Sequence, residues 1–205
     1  MIEFWKILFN DSWNIYTKNV RLIIGSLFLM LIPNLILSIT LPSIIKSYSS
    51  SEMLFFISIY LLYNGIYLGF LNIVYNIVID KSVSIKQIGS KFYCLPKILF
   101  PELVAAGLLY FIFQLSMGLG VIVMLMYFII FFYYPLIIII EDINIMSAIN
   151  KSFNVLKNNF NLTSQLAVIG IIFLILFYIL LLSFFVLLPI FQILRMKLYI
   201  KMSKS

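Results

Sequence analysis

LFPELVAAGLLYFIFQLSMGLGVIVMLMYFIIFFYYPLIIII, residues 99–140, is the stretch whose reading decides the fold. It runs for 42 residues without a basic side chain and with one acid, Glu102, near its start. A helix needs about 20 apolar residues to cross the hydrocarbon core of a bilayer, so the stretch is too long for one crossing. Ser116-Met-Gly-Leu-Gly120 interrupts it near the middle, and glycine with serine inside an apolar run marks a turn. The pattern predicts a tight transmembrane hairpin, 99–115 followed by 119–140.

The same arithmetic extends to the rest of the chain. Residues 22–41 supply a first crossing and 53–79 a second, longer and therefore tilted. Residues 42–52, with Lys46, Ser47 and Ser49 to Ser51, read as a polar loop between them. The last apolar block, 162–202, is broken only by Ser183 and Pro189 and is about as long as the 99–140 hairpin. It holds either one crossing or two. Two are favoured by charge, since Lys and Arg collect on the cytoplasmic side. With six crossings and a cytoplasmic N-terminus, every basic residue except Lys46 lies inside; with five, Arg195, Lys197, Lys201 and Lys204 lie outside. A shallow or re-entrant last hairpin remains an alternative.

Composition agrees. Of the 205 residues 64% are hydrophobic, 10% are charged, and the mean hydropathy is +1.15, against about 45–50% apolar in soluble domains. The chain reads as an all-α polytopic membrane protein, one helical membrane domain over 1–205. The net charge of +7 comes from 14 basic residues spread between apolar spans, which points to anionic lipid and not to nucleic acid. One cysteine, Cys94, and no histidine leave no internal disulfide and no imidazole for metal binding or proton transfer. Residues 1–19 scatter Glu3, Lys6, Asp11 and Lys18 among aromatics and lack the uninterrupted apolar core of a signal peptide, so they are expected to be retained. Low alanine with heavy Ile, Asn and Lys use is associated with AT-rich bacterial genomes, which sets the expected location as a bacterial cytoplasmic membrane with both termini inside.

The segments ahead of the hairpins are amphipathic. Residues 4–20 space Trp5, Leu8, Phe9, Trp13, Tyr16 and Val20 by three and four, with Lys6, Asn10, Asp11, Asn14 and Lys18 between. That is the pattern of a helix lying in the interface plane. Residues 144–160 repeat it, with Ile145, Ile149, Phe153, Leu156 and Phe160 against Asn150, Lys151, Asn154, Lys157 and Asn158. Ser12-Trp-Asn-Ile-Tyr-Thr-Lys-Asn-Val20 overlays Ser152-Phe-Asn-Val-Leu-Lys-Asn-Asn-Phe160 without a gap. A third copy over 82–98 is weaker, because Pro96 falls where its helix would continue. The expected architecture is six transmembrane helices in three hairpins, each preceded by an interfacial helix, with 1–80, 81–141 and 142–205 as candidate repeat units.

The segment Glu141-Asp-Ile-Asn-Ile-Met-Ser-Ala-Ile-Asn-Lys-Ser-Phe-Asn-Val-Leu-Lys157 resembles one found in a broad group of bacterial membrane proteins. The group includes the membrane domain attached to some glycerophosphodiester phosphodiesterases and stand-alone relatives without assigned activity. The matching positions are Glu141, Ala148, Ser152, Leu156 and Lys157. The resemblance implies a six-helix membrane module. It carries over no active site, since the phosphodiesterase chemistry belongs to a separate barrel domain whose histidines this chain lacks.

The second span carries the most pointed constellation. Asn64, Asn72, Asn76 and Asp80 recur at multiples of four, and Gly65-Ile-Tyr-Leu-Gly69 is a GxxxG beside them. Small residues admit close helix approach, and amides at membrane depth seek partners. Two readings stand open: a packing face inside a bundle, or a polar path lined by some of Tyr60, Tyr63, Tyr67 and Tyr75. Gln114 is the expected partner of the amide stripe, and Asn34 follows the kinking Pro33 in the first span. Lys6, Lys18, Arg21, Lys86, Lys91, Lys97, Lys151 and Lys157 are candidate contacts for anionic lipid, or topology signals with no ligand. Glu141 and Asp142 read as helix-start charges. No ionisable residue falls in the middle of a span, which disfavours an ion-coupled pump. No nucleotide, metalloprotease or paired-carboxylate motif is present.

Three functions are therefore carried forward. The first is a non-enzymatic lipid- or partner-binding module, accessory or scaffold, self-immunity included; its partners would be anionic lipids, a membrane protein or a second copy of the chain. The second is a small transporter or channel subunit. The third is a lipid enzyme, for which the usual acid, base and nucleophile sets are missing. No cofactor is expected.

Overall fold

The computed structural model describes residues 2–47, 50–120, 123, 127, 131–179 and 184–203. The described elements are helical, with no strand among them. In chain order they are α1 (Ile2–Lys18), α2 (Val20–Ser47), α3 (Ser50–Val78), two short 3-10 turns at Ile85–Gly89 and Phe92–Cys94, α4 (Leu95–Leu115), α5 (Tyr134–Glu141), α6 (Ile145–Asn158), α7 (Phe160–Ile179) and α8 (Phe184–Met202). Among the described residues two runs are long and apolar enough to cross a membrane: Leu54–Val78 and Ile85–Gln114, where the 3-10 turns lead into α4. A third exists if α1 and Val20–Ile36 of α2, bent by 81° to one another, count as one. Outward positions on α4 and α7, such as Leu103, Leu108, Phe111, Ile171 and Ile175, are exposed and apolar.

The two amphipathic segments end in the same elbow. Between α1 and α2, the Asn19 side chain donates to the Ile15 carbonyl, its N–H to the carbonyls of Ile15 and Tyr16, and its own carbonyl accepts from Ile23. Between α6 and α7, Asn159 does the same with Val155, Leu156 and Thr163. The serine seven residues earlier, Ser12 or Ser152, is fully buried in both. Asparagine suits the corner because its amide can bond a carbonyl that the helix leaves open.

Three expectations are corrected. The 82–98 segment is not one interfacial helix: it forms 3-10 turns at Ile85–Gly89 and Phe92–Cys94 and enters α4 at Leu95, so that Pro96 sits in the first turn of α4, where its missing N–H does no harm. The loop expected over 42–52 is mostly helix, because α2 runs on through Pro33 and Pro42 to Ser47 and α3 starts at Ser50. Backbone left unpaired at membrane depth is costly, which favours continuing a helix past proline. The span expected over 119–140 does not run unbroken to Ile140: the chain leaves helix at Phe132 and Tyr133, and Pro135 falls in the first turn of the new helix α5. Most of 121–130, residues 180–183 with the expected break at Ser183, residues 48–49 of the expected 42–52 loop, and Lys204 and Ser205 lie outside the described residues.

The core is built by α3, α5 and α8. Leu68, Phe70, Leu71, Ile73 and Val74 of α3 meet Leu136 to Ile139 of α5, and Ile190, Ile193, Leu194, Leu198 and Tyr199 of α8 close the cluster. Helix α1 packs along α8, with Tyr16 donating to the Phe185 carbonyl and Lys197 paired with Asp11 at 2.9 Å, and Trp5 donates to Gln165 of α7.

Candidate functional site

The amide and glycine face of α3 is a seat for the 85–92 segment. A Cβ on Gly69 would lie 1.6 Å from the Ile88 carbonyl oxygen, and one on Gly65 2.3 Å from the Phe92 ring. Only glycine lets backbone come this near. The amides finish the joint: Asn72 Nδ2 donates to Ser90 Oγ at 3.1 Å, Ser90 Oγ donates to the Gln87 carbonyl, and Asn76 Nδ2 reaches Gln87 Oε1 at 3.5 Å. Asn64 bonds its own helix at the Tyr60 carbonyl. Asn34 is exposed on α2. Gln114 is exposed and takes no part in the stripe's hydrogen bonds, so its expected role passes to Ser90 and Gln87.

One end of the bundle gathers the charges. Glu141 and Asp142 close α5 and do not start the next helix; α6 is capped by Asn144, whose side chain accepts from Ser147 N–H. Glu141 pairs with Lys151 at 2.7 Å and accepts from the Tyr199 hydroxyl. Asp142 pairs with Lys97 at 2.7 Å and accepts from Tyr93, whose hydroxyl in turn accepts from Lys91. The hydrogen bond from Lys97 holds the Asp142 carboxyl below its ordinary range. With Asp11 and Lys197, these pairs tie α1, the 91–97 segment, the α5 end, α6 and α8 into one belt.

Two features of this end were not legible as sites in the sequence. Arg195, expected near an end, is only 7% exposed. Its guanidinium donates to the Phe132 carbonyl at the break before α5 and to Gln192, and it lies 5.0 Å from the Phe132 ring centre. The second feature is a cleft of about 680 Å³ between α1, the end of α3 and α8, with Asp11, Asp80, Lys197 and Lys201 on its walls. The only hint was Asp80, which sits in register with the amide stripe.

Of the eight lipid-contact candidates, Lys97 and Lys151 are held in ion pairs and Lys91 is held on Tyr93. Lys6, Lys18, Arg21, Lys86 and Lys157 are exposed and have no ion pair among the described residues. No group of His, Cys, Asp and Glu able to hold a metal occurs among the described residues.

The class these observations define is an all-helical protein with two or three helices able to cross a membrane and a charged belt at one end. No family model matches the chain, and neither the curated proteins nor the solved structures contain a match.

Proposed function

We propose that the protein is a non-enzymatic integral membrane module that binds anionic lipid at its charged end and serves as an accessory or scaffold. In this reading it crosses a cytoplasmic membrane six times with both termini inside, because that topology puts 13 of its 14 basic residues on one side. The observation that carries the functional reading is the partition of the cations. The belt uses up its acids internally and leaves Lys6, Lys18, Arg21, Lys86 and Lys157, on α1, the start of α2, the 85–89 turn and α6, exposed and without an ion pair among the described residues. Each such cation near an anionic surface contributes about 1 kcal/mol. A transport path along Asn72 and Asn76 has less support, since that face is covered by the 85–92 segment.

The test is lipid retention by native mass spectrometry of the detergent-purified chain. The wild type is expected to keep dioleoyl phosphatidylglycerol, and a variant with those five residues changed to Gln is expected to lose most of it. Equal retention by both would remove the lipid-binding reading. A Ser205→Cys variant on a Cys94→Ser background should react with an impermeant thiol reagent only after cell lysis.

A further inference from the structure

Two helices in this chain end on an aspartate in the left-handed conformation, α3 on Asp80 (φ 55°) and α5 on Asp142 (φ 48°). Both positions work against an acidic residue. The backbone there suits glycine best, and a carboxylate at a helix C-terminus faces the negative end of the dipole. Asp142 is compensated by Lys97 and Tyr93. Asp80 is not: its N–H bonds Ile77 and the Lys81 N–H bonds Asn76, closing the turn, but its carboxylate has no ion pair among the described residues. A glycine would close the same turn at lower cost, so the carboxylate is the part of Asp80 that the fold does not explain.

Asp80 opens on the cleft of about 680 Å³, within the range of about 300–1,000 Å³ for ligand pockets. Two lysines of α8 share that cleft. Lys197 is taken by Asp11 at 2.9 Å, whereas Lys201 lies 4.4 Å from the Phe4 ring centre and has no ion pair among the described residues. Among those residues the cleft therefore offers one carboxylate outside any ion pair, in the turn that ends α3, and one such ammonium on α8, with Phe4, Ile7 and Val78 as apolar wall between. The face of α1 turned away from the cleft carries exposed Ile2 and Trp13, the surface of a helix suited to the bilayer interface.

We propose that this cleft binds the headgroup of an amine-bearing phospholipid, the lipid ammonium donating to Asp80 and the phosphate accepting from Lys201. The apolar wall takes the glycerol and the first methylenes. A lipid with phosphate and no amine satisfies Lys201 but leaves Asp80 unpaired, and a quaternary ammonium cannot donate the hydrogen bonds that make such a pair strong. The proposal rests on the membrane-module reading and deepens it, since it gives a second lipid class to a site distinct from the exposed lysines.

The experiment is a native mass spectrometry titration of the full chain in detergent with dioleoyl phosphatidylethanolamine, phosphatidylcholine and phosphatidylglycerol, and separately with soluble phosphoethanolamine. The wild type should retain phosphatidylethanolamine about tenfold more tightly than phosphatidylcholine. Asp80→Asn should abolish that preference. Asp80→Gly should abolish it too while raising the melting temperature, because glycine fits the left-handed turn; a residue with a purely structural role would not separate the two readouts. Lys201→Gln should weaken both zwitterionic lipids alike. A preference that is absent from the wild type, or that survives in both Asp80 variants, overturns the proposal. Equal affinity for soluble phosphoethanolamine overturns the lipid as its source. Loss of the amine preference with phosphatidylglycerol still retained sinks this site alone, whereas retention of no lipid at all takes the module reading with it.

Discussion

The elbow at Asn19 and the elbow at Asn159 are made by the same hydrogen bonds, yet the helices that lead into them are held in place differently. Helix α6 is fixed locally: Lys151 reaches Glu141, ten residues back, across the Asp142 turn. Helix α1 is fixed from the far end of the chain, by Gln165, Phe185 and Lys197. A corner can thus be specified by nine residues, but the direction in which its first arm lies is set by whatever packs on it. For α1 the partners lie 160, 169 and 186 residues further along the chain, so closing these contacts costs the entropy of very long loops.

The comparison breaks most readily at its buried serines. Ser12→Leu and Ser152→Leu each force extra methylenes into a filled site and should cost about 1–3 kcal/mol, or roughly 2–4 °C of melting temperature per kcal/mol in detergent. Similar losses at both positions would support equivalent corners; a loss at only one would show that the shared hydrogen bonds hide different packing. Trp5→Phe comes next. It removes the hydrogen bond to Gln165, worth about 1 kcal/mol, and limited proteolysis should then cut α1 faster while leaving α6 unchanged.

The ion pairs should give the smallest effect. Lys197→Gln and Lys151→Gln break partly exposed pairs, so each should lower stability by about 0–1 kcal/mol, the first loosening α1 alone. Acid acts on the third pair. The Asp142 carboxyl is held below its ordinary 3.8, so the pair stabilises the fold above pH 3.8, and that contribution is lost as pH falls through the lowered folded-state value. Melting curves of wild type and Lys97→Gln should differ at neutral pH and converge in strong acid.

How much of this the sequence carried follows from how local each feature is. The three- and four-residue spacing in 2–18 and 145–158 is local, and so is the repeated Ser-x-Asn…Asn; both helices and both corners were legible. The glycines of α3 were legible as places of close approach, but not their partner. GxxxG reports room beside a helix without saying whether another helix or a carbonyl such as that of Ile88 will fill it. Pro96 was visible as an interruption whereas Pro135 lay inside an expected span, yet both fall in the first turn of a helix, where proline costs little, unlike proline at a kink. Arg195 looked like a boundary charge since hydropathy cannot foresee a broken helix whose open carbonyl needs a donor. The cleft was hidden because its walls come from residues 4–11, 78–80 and 197–201, which no window along the chain brings together.

The 81° bend between α1 and α2 has a mechanical side. In a bilayer, a helix laid flat at the surface takes up area in one leaflet and none in the other. In the membrane-module reading proposed above, exposed Ile2 and Trp13 would sit as wedges among the headgroups of that leaflet. The folded state would then be coupled to lateral pressure, loosely packed, curved membrane accommodating α1 more easily than flat, tightly packed membrane.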